Sequence, residues 1–174
     1  MKKNIIIFKK FHSKSFGFTL IELLVVVGIL SVMAASLLVT LNPYTQIQKA
    51  NDSKRKADLS QIQKALESYY QDNSAYPAQS ASGNYMSVAN WEASWIPYMN
   101  VVPKDSNASY NYIYYSTPDL QSYYLYASLE RGSKDPQACS GGLSCSSPEG
   151  SGINMDTACG SKCNYGVSTP DKNP

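Results

Sequence analysis

The chain opens polar and basic, then runs apolar from Phe18 to Leu41, with Glu22 as the one ionisable residue and no proline. As a helix rising about 1.5 Å per residue, this run spans about 36 Å, which covers a hydrocarbon core of about 30 Å. Glu22 opposes insertion by about 2.5 to 3.5 kcal/mol, whereas fifteen Leu, Ile, Val and Phe side chains favour it by about 4 to 9 kcal/mol. The segment is predicted to enter a membrane, and its carboxylate needs a partner there. Asn42-Pro43 should then interrupt the helix, because proline lacks the amide donor and clashes with the preceding turn.

Helical periodicity resumes from Tyr44 to Gln71, where Leu59, Ile62, Leu66 and Tyr69 or Tyr70 recur at intervals of three and four. This stripe should pack on a sheet. The first half, Gln46 to Asp58, is polar and reads as a solvated face of a long helix. Its Lys49, Lys54, Arg55 and Lys56 leave open a contact with anionic lipid headgroups, neighbouring subunits or DNA. Asp72-Asn73-Ser74-Ala75-Tyr76-Pro77 ends the helix, and a small-residue loop follows over Ala78–Met86. Trp91 and Trp95, four apart, suggest one face of a short helix; core packing is the expected role, ahead of sugar stacking.

Two alternating runs, Tyr110–Ser116 and Ser122–Glu130, predict an antiparallel hairpin joined by Thr117–Gln121. On the second, Tyr123, Leu125, Ala127 and Leu129 share the face that should cover the helix. Tyr124, Tyr126, Ser128 and Glu130 share the other, expected to meet water or a neighbour. The seven tyrosines of this hairpin suit a half-buried pleated surface.

Beyond Arg131 the pattern changes: seven of the ten glycines lie here with few large apolar residues, so the tail needs staples. Cys139, Cys145, Cys159 and Cys163 supply them as disulfides, with three pairings open; a four-thiolate zinc site is the lesser alternative.

Charge changes the picture only when split. Lys2, Lys3, Lys9, Lys10 and Lys14 precede the apolar run with no acid among them, so the positive-inside rule puts the N-terminus in the cytoplasm and the remainder outside. The rest of the chain holds 10 basic against 13 acidic residues, and no specific nucleic-acid partner is predicted. The single histidine, His12, lies in the basic leader, so none remains beyond it for general-base or zinc chemistry. No catalytic residue, cofactor or metal is expected.

Lys14-Ser15-Phe16-Gly17-Phe18-Thr19-Leu20-Ile21-Glu22 resembles the processing site of type IV prepilins and of type II secretion pseudopilins. The resemblance implies that prepilin peptidase cuts between Gly17 and Phe18 and N-methylates Phe18. It also implies that Glu22 pairs with the N-terminal amine of a neighbouring subunit, a buried ion pair that sets register. Residues 57–77 resemble the helix exit of pseudopilins, and Pro97-Tyr98 and Val102-Pro103-Lys104-Asp105 resemble the connection before the sheet in the major, type G, pseudopilin. That family carries a calcium-binding C-terminal loop; Asp135, Glu149 and Asp156 stand outside its pattern, and the site is not carried over.

The expected architecture is α+β and pilin-like. A leader (1–17) precedes a transmembrane and assembly helix (18–43), an exported amphipathic helix (44–76), a loop and small antiparallel β-sheet (77–130) and a disulfide-stapled C-terminal region (131–174). The resemblance implies a subunit of a type IV pilus or a secretion pseudopilus. Its partners would be other copies of itself, minor pilins or pseudopilins, prepilin peptidase, an inner-membrane assembly platform and membrane lipid. The alternative is an exported binding module, either anchored or released by an ordinary signal peptidase near Ala35.

Overall fold

The computed structural model describes residues 17–81 and 83–174. Lys2, Lys3, Lys9, Lys10, Lys14 and His12 lie outside the described residues. The chain divides into two units, Met1–Pro43 and Tyr44–Pro174.

The first unit is helix α1, Leu20–Leu41. It starts at Leu20 because Thr19 adopts extended geometry as its N-cap, and it closes at Asn42, whose left-handed φ of 40° asparagine tolerates. Every side chain from Leu20 to Leu37 is exposed, and this stretch is long and apolar enough to cross a membrane. A helix apolar on all sides needs lipid or other helices around it.

Helix α2, Pro43–Asn73, opens on the proline, whose missing amide costs nothing in a first turn. Leu59, Ile62, Ala65 and Leu66 are buried on one face. They meet Tyr112, Tyr114, Tyr123, Leu125, Ala127 and Leu129, with Met86, Trp95 and Val102 from the connecting segment completing the core. Each such leucine or isoleucine contributes about 1.5–3 kcal/mol by burial.

The sheet has three antiparallel strands, with β2 (Tyr123–Ala127) between β1 (Ile113–Ser116) and β3 (Tyr165–Ser168). Tyr114 faces Leu125, and Leu125 faces Val167. β1 is shorter than its alternating run because Tyr110 and Asn111 donate their amides to Asn107 and Cys159 instead. β2 stops at Ala127; the Asn164 side chain then takes both backbone groups of Leu129, at 2.7 and 3.0 Å.

Four expectations change. The tail is more than a stapled loop, because it supplies β3 and a second core. Disulfides Cys139–Cys145 and Cys159–Cys163, with Met155, pack on Ile113 and Tyr126. The second sheet face is therefore covered by the tail rather than by water: Tyr126 and Ser128 are buried and Tyr124 half-buried. No helix forms at the tryptophans: Trp91 lies in a turn and packs edge-to-face with Tyr112, and Trp95 pairs in an isolated bridge with Met99 and is buried beside Tyr69 and Tyr98. Finally, the polar half of α2 is not simply solvated, since Asp52, Arg55 and Asp58 are buried.

Candidate functional site

The start of α1 gathers the candidate assembly residues. Gly17 and Phe18 precede the helix, with Phe18 exposed, and Thr19 and Glu22 form a reciprocal capping box. The Glu22 amide donates to Thr19 Oγ1 at 3.2 Å, while Thr19 N and Oγ1 donate to Glu22 Oε2 at 2.9 and 2.8 Å. A box of this kind satisfies two amides that no preceding turn can bond. Both bonds to the carboxylate fall on Oε2, and among the described residues no hydrogen bond reaches Oε1. Two to eleven residues beyond Glu22, Gly28 lies in a shallow apolar groove with Leu24, Val25, Ile29, Val32 and Met33. A Cβ at Gly28 would meet open space, so another helix can approach its backbone closely.

The second feature is a polar cluster that locks α2 to the sheet unit. Arg55 Nε donates to Asp105 Oδ2 at 2.6 Å, and its Nη1 lies 3.0 Å from Asp52 and 3.1 Å from Glu130. Its guanidinium also stacks 4.5 Å from the Tyr110 ring. Burial disfavours the charged guanidinium, but the Asp105 hydrogen bond and the charges of Asp105 and Glu130 outweigh it and raise its pKa. Asp52 additionally accepts the amides of Glu130 and Arg131, at 2.8 and 2.9 Å, fixing the chain as it leaves β2. Asp58 accepts from the Tyr112 hydroxyl at 2.7 Å; burial first, then this bond to a carboxylate, pushes the Tyr112 pKa up.

These groups bond to one another and to the chain leaving β2, which makes the cluster a structural lock. The reading by periodicity assigned this half of α2 to solvent. One signal was available: positions 52, 55, 59, 62 and 66 form a single stripe at intervals of three and four, so the charges continue the apolar face in phase.

The four cysteines pair as neighbours in sequence, with separations of 6 and 4. The tail acids have separate engagements: Asp135 with Lys56, and Asp156 with Ser144. Among the described residues no group of three or more His, Cys, Asp or Glu is arranged to hold a metal ion.

Comparison with known families gives two matches. Residues 12–38 match the prokaryotic N-terminal methylation motif, and residues 42–139 match type II secretion system (T2SS) protein G. No curated protein and no solved structure matches the chain. The second family is a structural pseudopilin and not an enzyme family. The methylation motif coincides with the exposed apolar helix, and the protein G match begins where that helix ends and runs through α2, β1 and β2. With more than half of its length matched in this way, the chain belongs to the type II secretion system protein G family of pseudopilins.

Proposed function

We propose that the chain is the filament-forming subunit of a pilus-like secretion apparatus, made as a precursor and polymerised through α1. The leader, residues 1–17, is removed by prepilin peptidase between Gly17 and Phe18, and Phe18 is N-methylated. Before assembly the subunit is anchored by α1 with its N-terminus in the cytoplasm, as the leader lysines favour. It then leaves the membrane for a filament of other copies and minor pseudopilins, built on an inner-membrane platform.

One observation carries this reading: α1 is an apolar helix, exposed from Leu20 to Leu37, whose single carboxylate is capped through Oε2 and has no hydrogen bond to Oε1 among the described residues. Such a helix is stable in lipid and equally stable in a bundle of its own kind. An ammonium from the N-terminus of a neighbour would meet Glu22 Oε1, and two charges without water neutralise one another only when subunits sit in register. Subunits joined head to tail without closure give an open filament.

The capping box supplies the test. Glutamine also serves at the third position of a capping box, so Glu22→Gln keeps the helix start while removing the charge. Thr19→Ala does the reverse. We expect Glu22→Gln to remain membrane-anchored and to lose filament assembly and secretion, with Thr19→Ala much less affected. Normal filament yield from Glu22→Gln would refute the register role.

A further inference from the structure

Where α2 passes the turn that follows β2, Lys49, Lys56, Arg131 and Lys134 surround an open cavity of about 400 Å³. The two acids in its wall are engaged elsewhere. Asp52 serves Arg55 and two backbone amides; Asp135 takes Lys56 Nζ and the Gln137 amide. Lys56 is further held by Gln137 and lies over the Tyr165 ring. Among the described residues, Lys49, Arg131 and Lys134 form no ion pair, so three cations line one cavity whose two acids are bonded to other groups.

We propose that this cavity holds the phosphate group of an anionic phospholipid. A phosphate offers several acceptor oxygens, which suits convergent Lys and Arg donors better than a lone carboxylate does. The position favours lipid as the source. Lys49 follows Pro43 by six residues, about 9 Å of helix, and the headgroup layers add about 5–8 Å to each side of a hydrocarbon core. The long, exposed stems of Lys49 and Lys134 let their charges reach toward a headgroup phosphate. The cavity would hold a headgroup while the subunit is anchored, before it is withdrawn from the membrane. This inference rests on membrane anchoring by α1.

The test uses the full chain in detergent micelles, with native mass spectrometry counting retained phosphatidylglycerol, cardiolipin or phosphatidylcholine. The two anionic lipids should be retained at least about tenfold better than phosphatidylcholine. Each juxtamembrane cation contributes about fivefold, so Lys49→Gln/Arg131→Gln/Lys134→Gln together should lower affinity for them about a hundredfold. Lys134→Gln alone, at an exposed side chain, should lower it about fivefold and serves if the triple variant unfolds. Lys104→Gln, which loses only an exposed pair with Glu92, should change nothing.

Equal retention of all three lipids would overturn the proposal. So would displacement of lipid by inorganic phosphate at comparable concentration, which would indicate a site for free anions. Filament loss in the triple variant without any lipid preference would assign the cavity to an acidic side chain of a neighbouring subunit and likewise overturn it. Failure of anchoring itself is separately visible, because the wild-type chain would then appear in the aqueous fraction of host cells.

Discussion

Replacing Arg55 by alanine would probe the lock between α2 and the sheet. The side chain is 3% exposed and serves three carboxylates, with contacts of 2.6, 3.0 and 3.1 Å. Removing one partner of a buried ion pair costs about 3–5 kcal/mol, because the remaining charge is stranded. Here the stranded acids keep partial compensation: Asp52 retains two amides, Asp105 the Asn107 amide and Glu130 the Asn51 side chain. Loss of the stack on Tyr110 adds about 0.5–1 kcal/mol. The net expectation is about 4 kcal/mol, a large part of the total stability of a domain, typically about 5–15 kcal/mol.

In thermal unfolding followed by near-UV circular dichroism, that loss should lower the midpoint by about 10–20 °C. Arg55→Lys keeps the charge but not the fork and should lose about half as much. A shift of under about 3 °C for Arg55→Ala, as for an ordinary solvated arginine, would refute the burial and the bonding described.

Other consequences follow from the packing. Tyr112, Tyr123 and Tyr126 have raised pKa values, through burial first and, for Tyr112 and Tyr123, the nearby Asp58 and Glu67 carboxylates. The folded state keeps these phenols protonated while the unfolded chain ionises near 10.0, so their contribution is complete below that pH and is lost as pH rises above it. Their tyrosinate absorbance should appear in one step with loss of the near-UV signal, and smooth titration of a folded protein would contradict this. Gly160→Ala forces a Cβ to 1.8 Å from the Ser109 carbonyl oxygen at a φ of +77°, and should cost about 2–4 kcal/mol. Gly150→Ala, left-handed but facing open space, should cost about 1 kcal/mol, and equal midpoints for the two would refute the close approach. Removing the Cys159–Cys163 bridge with paired serines should cost about 2 kcal/mol or more. Because both cysteines are buried with Ile113 and Tyr126, limited proteolysis should then open β1 as well as the tail, and cleavage confined to residues 131–174 would oppose that coupling.

What was legible in the sequence is what is locally encoded. The apolar run needed no partner to declare α1, and Leu59, Ile62 and Leu66 marked the buried face of α2 by spacing alone. Alternation likewise revealed the core face of β2. The hidden parts depend on residues far apart in the chain. Tyr165-Gly166-Val167-Ser168 is too short, and too interrupted by glycine, to read as a strand until β2 lies beside it. The Arg55 lock resembles an ordinary charged helix face because Asp105 and Glu130 arrive from 50 and 75 positions away. Tyr126 alternates onto what looks like an outer face, and only the cysteine-bearing tail folding across it makes that face a second core. At the N-terminus the motif identified Glu22, whereas its engagement with Thr19 through Oε2 required the geometry.

The mature N-terminus, read by mass spectrometry on protein recovered from its native host, tests the central claim most directly. A chain beginning at N-methylated Phe18 is the result expected of a processed filament subunit with Glu22 as its fifth residue. A chain beginning near Ala35, or one that keeps its leader in assembled material, would contradict the account.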